Sequence, residues 1–185
     1  MTTIDKELML REVMEREGIS AFITPSTDPH CGEYVPERWK SRRWISGFTG
    51  SAGTAVVTKD SAALWTDSRY FIQASEQLDG SDFVLMKEKI EGTPSIAEWL
   101  GGVLKDGDTV AVDGWVNTVS EVETLQNDLK AYGLTLRTDI DPYEEIWEDR
   151  PSVPDSKAFI QTLEYSGEST KSKLGRIREK LGDKS

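Results

Sequence analysis

Apolar residues recur at helical spacing near the start of the chain. Ile4 with Leu8, Met9 with Val13 and Leu10 with Met14 are each four apart, and Gly18 follows as a stop, so residues 3–17 are expected to form an amphipathic helix. Residues 19–24 (ISAFIT) are instead continuously apolar and β-branched up to Pro25, the pattern of a buried strand. The polar stretch PSTDPHCGEYVPE then reads as a loop, and Pro36 opens a short helix over about 36–44. Two further strands, 54–58 and 62–66, flank the turn Lys59-Asp60-Ser61 as a hairpin. A helix over about 68–78 places Phe71, Ala74 and Leu78 on one face, and 83–87 (FVLMK) is a strand.

The second half continues the alternation. Thr93-Pro94 reads as a cap and first turn of a helix through Ile96, Trp99 and Leu100 to Gly101. Residues 109–114 are a strand. Thr118 and Glu121 are spaced as a capping box, and Val122, Leu125, Leu129 and Tyr132 follow with a 3.6-residue period up to Gly133. A last strand at 134–138 and a short helix near 142–147 complete the series. Strands alternating with helices, one hairpin among them, predict an α/β domain: a mixed β-sheet flanked by helices.

Composition narrows the function classes. The chain has 185 residues, room for one domain or one and a fraction. Hydrophobic residues make up 37%, on the low side, but the sixteen aromatics suffice for a core. One histidine and one cysteine cannot supply the three or four ligands of a zinc site, and a lone cysteine cannot close an internal disulfide. No apolar run nears the ~20 residues that span a bilayer, and the N-terminus lacks a signal-peptide core, so no membrane partner and a cytoplasmic location are expected. The net charge of −11 disfavours nucleic acid, whose phosphates such a surface repels. That charge is unevenly placed. Residues 166–185 carry six Lys/Arg against three Asp/Glu, a net +3, which leaves −14 on residues 1–165. The prolines of DRPSVPDSK interrupt the chain just before this reversal. The expected organisation is therefore a domain over 1–150, a linker over 151–157 and the start of something further over 158–185.

Four segments are candidates for chemistry. The glycines of SGFTGSAGTA (Gly47, Gly50, Gly53) lead into a strand rather than a helix, so the segment reads as a tight turn and not as a phosphate cradle. In WTDSRYF, Asp67 or Ser68 is expected to cap the following helix, which would put Arg69 in its first turn, where a cation is disfavoured by ~0.3–1 kcal/mol. Arg69 is then either paired with an acid such as Asp67 or held as a fork of donors for a carbonyl or carboxylate. His30 and Cys31 lie in the loop after the first strand; adjacent residues rarely point so as to make a nucleophile and its base. The acidic run over 139–149 lacks the glycine and final glutamate of a calcium loop and reads as a solvated helix face.

Several of these segments together resemble one family. The strings TPSTDPHCGEYVPERWKSRRWISGFTGSAGTAVVT, AALWTDSRYFIQA and EIWEDRP resemble the N-terminal portion of cytosolic three-domain Xaa-Pro aminopeptidases (aminopeptidase P) of the creatinase/prolidase superfamily. The resemblance runs in order from about residue 7 to the end. It implies a ribonuclease H-like layered α/β domain at 1–150, the opening strand and helix of a middle domain from 158 onward, and an absent C-terminal catalytic domain. That domain would hold two divalent metal ions, usually manganese, so no metal and no catalytic residue is expected in this chain, which would be inactive alone. The resemblance further implies peptide substrates with proline second, contact with the rest of the same chain, and a homodimer when full length. It makes Arg69 a substrate-contacting residue, with His30 and Tyr70 as lesser candidates in equally typical segments. Position 68 is often glycine in this family and is serine here. The alternatives are a non-catalytic peptide- or protein-binding module of the same architecture, and the N-terminal domain of a prolidase or creatinase relative.

Overall fold

The computed structural model describes residues 1–182 and divides into two compact units, Met1–Val153 and Pro154–Ser185. The first is a six-stranded sheet between two layers of helices. Strands β1 (Ala21–Thr24), β2 (Thr54–Thr58), β3 (Ala62–Thr66), β4 (Phe83–Lys87), β5 (Thr109–Val112) and β6 (Thr135–Arg137) lie in the order β4-β3-β2-β1-β5-β6. Only β2 runs against the rest: it is antiparallel to β1 and β3, while the pairs β1–β5, β3–β4 and β5–β6 are parallel.

Alternation along the strands builds two cores. Phe22, Val57 and Leu64 point to one face, and Ile23, Val56 and Trp65 to the other. The first face packs against α1 (Thr3–Glu17), α2 (Ser41–Ser46), α3 (Phe71–Gln77) and α6 (Tyr143–Ile146) through Leu10, Met14, Ile45, Ala74 and Tyr143. Here the Tyr143 hydroxyl meets Thr24 Oγ1 at 2.5 Å and the Trp147 ring stacks on Trp44. The second face is covered by α4 (Ile96–Val103) and α5 (Val119–Lys130) through Leu100 and Leu129.

Local signals explain most element ends, with informative exceptions. Thr2 and Asp5 form a capping box that starts α1, and Gly18 in the left-handed region ends it. The buried face of α1 is Glu7, Leu10, Val13 and Met14; the expected pair Ile4 and Leu8 is exposed instead. The helix expected over 36–44 is two pieces, a 3-10 turn at Glu37–Trp39 and then α2, broken at Lys40. The cap of α4 is Ser95, in a reciprocal box with Glu98, rather than Thr93; the Pro94 carbonyl instead accepts from Trp65 Nε1. The box at Thr118 and Glu121 forms as its spacing predicts. The acidic run at 139–149 is largely committed to ion pairs: Asp141 to Arg150, Glu144 to Arg38 and Glu145 to Arg16.

In the second unit, α7 (Leu163–Ser166) and α8 (Thr170–Leu181) carry Leu174, Ile177 and Leu181 along one stripe of α8. The strand expected from 158 onward does not form, and residues 154–162 take no regular structure. A lone extended segment has no neighbour in this unit to take its backbone N–H and C=O groups. Among the described residues no helix is long and apolar enough to cross a membrane.

Glu7 is buried to 0% exposure, with Oε2 held by Arg11 Nη2 at 3.2 Å and Oε1 unpartnered. Burial outweighs Arg11 and pushes the carboxyl up to about 7, from 4.5. The folded chain then binds more protons than the unfolded chain between about pH 4.5 and 7, so this contribution to stability falls as pH rises through that window. Glu7→Gln keeps the shape and removes the titration. Urea melts should show the variant more stable by about 3 kcal/mol at pH 8 and unchanged at pH 4. Equal stability of the two proteins at pH 8 would count against the buried carboxyl as the cause.

Candidate functional site

The lone antiparallel strand gathers the chemistry on one edge. The C-terminal ends of the five parallel strands and the N-terminal end of β2 meet there, so the loop after β1, the Gly-rich loop before β2 and the turn after β3 share one rim. Ligands of open α/β sheets commonly bind at that rim.

Hydrogen bonds between these loops fix their backbones. Ser26 Oγ donates to the Gly53 carbonyl at 2.6 Å, Thr66 Oγ1 to Ala52 O at 2.7 Å, and Thr27 Oγ1 to Val116 O at 2.5 Å. The central member is Arg42 of α2, which is 5% exposed. Its Nε donates to Ser26 Oγ at 2.9 Å, and its Nη atoms donate to Phe48 O and Gly50 O. A buried cation thus shapes the Gly-rich loop, and burial pushes its guanidinium down to about 10. The loop packs tightly: a Cβ on Gly50 would lie 2.2 Å from Phe48 Cζ and 2.8 Å from Tyr70 Cδ1. The segment is the close-packed turn expected from its glycines.

Arg69 does not stand in a first helical turn. The α3 helix starts at Phe71 with Tyr70 at its cap, and residues 67–70 form a turn closed by Tyr70 N–H to Asp67 O at 3.0 Å. Asp67 causes the delay. Its Oδ1 accepts from the Arg69 backbone N–H at 3.0 Å and from Nε at 2.9 Å, and its Oδ2 accepts from Nη2 at 2.7 Å. The carboxylate serves the turn and the guanidinium rather than a helix N-terminus, so the expected conflict with the macrodipole does not arise. The pair holds Asp67 down to about 2 and raises Arg69 above its ordinary value. The Arg69 side chain is still 65% exposed, and its Nη1 makes no bond among the described residues.

Tyr70 lies beneath it. The guanidinium carbon sits 5.2 Å from the Tyr70 ring centre, and the Tyr70 hydroxyl bonds Ser51 Oγ at 2.6 Å. Arg69 and Tyr70 are therefore brought together and tied to the Gly-rich loop. His30 is not hydrogen-bonded to either. Its side chain is 85% exposed with Nδ1 3.8 Å from Asp28 Oδ1, and its backbone N–H donates to the same oxygen at 2.7 Å. Cys31 is exposed with φ 52°, and no hydrogen bond joins it to His30. Sequence reasoning missed Arg42 and the buried Asp28, both of which organise this rim; Asp28 carries the only legible signal, an Asp two residues before the N–H it accepts from.

Among the described residues no group of three or more His, Cys, Asp or Glu side chains is placed to hold a metal ion. A cleft of about 700 Å3 lies between α4 and α5; of its three glutamates, Glu98 and Glu121 are committed to the two helix caps, and Glu88 is not.

Comparison with known proteins fits this geometry. The family model of the creatinase/prolidase N-terminal domain matches residues 8–142. Aminopeptidase P2 of Arabidopsis thaliana is 43% identical over 169 residues, 90% of this chain and 24% of that protein. Xaa-Pro aminopeptidase ApepP of Drosophila melanogaster is 40% identical over 182 residues, 97% of this chain and 30% of that protein. The crystal structure of X-prolyl aminopeptidase from Caenorhabditis elegans, described as a cytosolic enzyme with a di-nuclear active site, matches with a TM-score of 0.82 and 33% identity over 98% of this chain and 31% of that one. The chain spans about a quarter to a third of the length of these relatives.

Proposed function

Because this chain belongs to the creatinase/prolidase N-terminal domain family, we propose that it is the non-catalytic front of a longer Xaa-Pro aminopeptidase. The observation that carries the reading is the match to the nematode enzyme along 98% of the chain at a TM-score of 0.82. In this reading residues 1–150 form the N-terminal domain, 151–157 a linker and 158–185 the beginning of a middle domain. The longer protein removes the residue that precedes proline at a peptide's N-terminus. The family implies two divalent metal ions, usually manganese, which would supply Lewis-acid chemistry for that hydrolysis in the longer protein. Among the described residues no donor set fits them, so in this reading their ligands belong to another part of the polypeptide. A homodimer working in the cytoplasm completes the proposal.

The contribution of this domain is to wall the substrate cleft and to reach the peptide. Arg69 is the residue suited to it. Asp67 holds the Nε/Nη2 edge of its guanidinium, which leaves Nη1 to donate to a peptide carbonyl from a pre-set position. Tyr70 supports the guanidinium from below, and His30 offers an exposed donor or acceptor on the neighbouring loop.

Residues 1–185 alone should cleave no Xaa-Pro peptide, with or without manganese. In the full-length enzyme Arg69→Ala should lower kcat/KM about tenfold, the scale of one hydrogen bond to a charged group. Steady-state kinetics on an Xaa-Pro tripeptide checks both statements. Turnover by the short chain would remove the non-catalytic reading, and unchanged kinetics in the variant would remove the role of Arg69.

A further inference from the structure

A second feature of the same rim has a charge imbalance that the fold leaves open. A cavity of about 280 Å3 lies beside the Gly-rich loop, with Tyr34, Lys40, Arg42, Arg43, Gly50 and Ser51 in its walls. A guanidinium carries five N–H donors. Arg42 uses three of them, on one hydroxyl and two carbonyls, and has no carboxylate partner among the described residues. A buried cation without a counter-ion is costly unless an anion reaches it. Arg43 is exposed at the rim and likewise makes no side-chain bond among the described residues. Lys40 shares its ammonium with Glu37. Three cations thus line a cavity that holds one carboxylate, Glu33, in a chain whose net charge is −11.

We propose that this cavity is an anion site that receives a carboxylate. Arg43 presents a planar guanidinium fork that matches the two oxygens of such a group, and Arg42 adds its unmatched charge and the N–H donors it has not spent on Ser26, Phe48 and Gly50. With Lys40 paired to Glu37, the charges of Arg42, Arg43 and Glu33 leave a net +1, which a monoanionic carboxylate neutralises and a phosphate dianion would overshoot. The volume lies just below the ~300–1,000 Å3 of small-molecule sites, enough for a carboxylate and a few carbons and too small for a nucleotide. The site is separate from Arg69, whose charge Asp67 already matches. It does not depend on the peptidase reading.

Arginine-directed labelling of the full-length protein tests this. Phenylglyoxal modification of Arg43 is followed by peptide mass spectrometry while acetate replaces chloride at constant ionic strength. Arg16, exposed and remote on α1, is the internal control. Saturating acetate should slow the labelling of Arg43 about tenfold and leave Arg16 unchanged. In Lys40→Gln the acetate concentration giving half-protection should rise several-fold. Labelling of Arg43 that ignores acetate, an unchanged midpoint in Lys40→Gln, or protection by phosphate at lower concentration than by acetate would each overturn the proposal.

Discussion

Arg42→Ala is expected to cost about 3–4 kcal/mol of folding stability, whereas Arg43→Ala next to it should stay within about 0.5 kcal/mol. The two side chains have the same chemistry and opposite surroundings. Arg42 is 5% exposed and donates to Ser26 Oγ, Phe48 O and Gly50 O; truncation leaves those acceptors without their donor. Each buried acceptor left unmatched costs about 1–3 kcal/mol, and shared relaxation keeps the sum below three times that figure. Arg43 leaves nothing unmatched when it is removed. Urea titration of both variants checks the contrast. Equal midpoints would mean that the Gly-rich loop does not depend on the buried cation. Arg42→Lys should recover little, because one ammonium cannot reach three acceptors set at guanidinium spacing.

Gly53→Ala is expected to cost about 2–4 kcal/mol. The residue has φ 155°, and an added Cβ would lie 2.8 Å from the Trp65 carbonyl oxygen. That oxygen belongs to the backbone of β3 in mid-sheet, so it cannot rotate away as a side chain would. The Gly53 carbonyl also accepts from Ser26 Oγ, so a shift of this residue loosens the β1 loop as well. Thermal melts should show the loss, and hydrogen exchange should show faster exchange over residues 47–53 than in the parent. A variant as stable as the parent, with unaltered exchange, would show that the sheet yields here.

Much of this was legible along the chain, and the exceptions share a cause. The hairpin 54–58/62–66 and the helix at 3–17 follow from short-range patterns, because their periodicity and their end signals lie within a few residues. The layered α/β class followed from their alternation. Arg69 was misplaced because capping by Asp67 and closing a turn through Asp67 look alike in sequence; the choice is made by where the guanidinium folds back. Ile4 and Leu8 satisfied the period while Glu7 took the buried place, held by an arginine one turn later that also reaches the Thr58 carbonyl. Nothing local separates Arg42 from Arg43. The difference is made by the loop at 48–50 curling back over α2, and a window of neighbouring residues does not contain that information.

The reversed direction of β2 also has a practical side. Its hairpin turn, Lys59-Asp60-Ser61, sits at the opposite edge of the sheet from the Gly-rich loop, one five-residue strand or about 17 Å away. Lys59 and Asp60 are exposed. A dye or an inserted epitope there would report on this domain from its far end without touching Arg42, Arg69 or Tyr70, which makes the turn a natural handle for tethering or distance measurements.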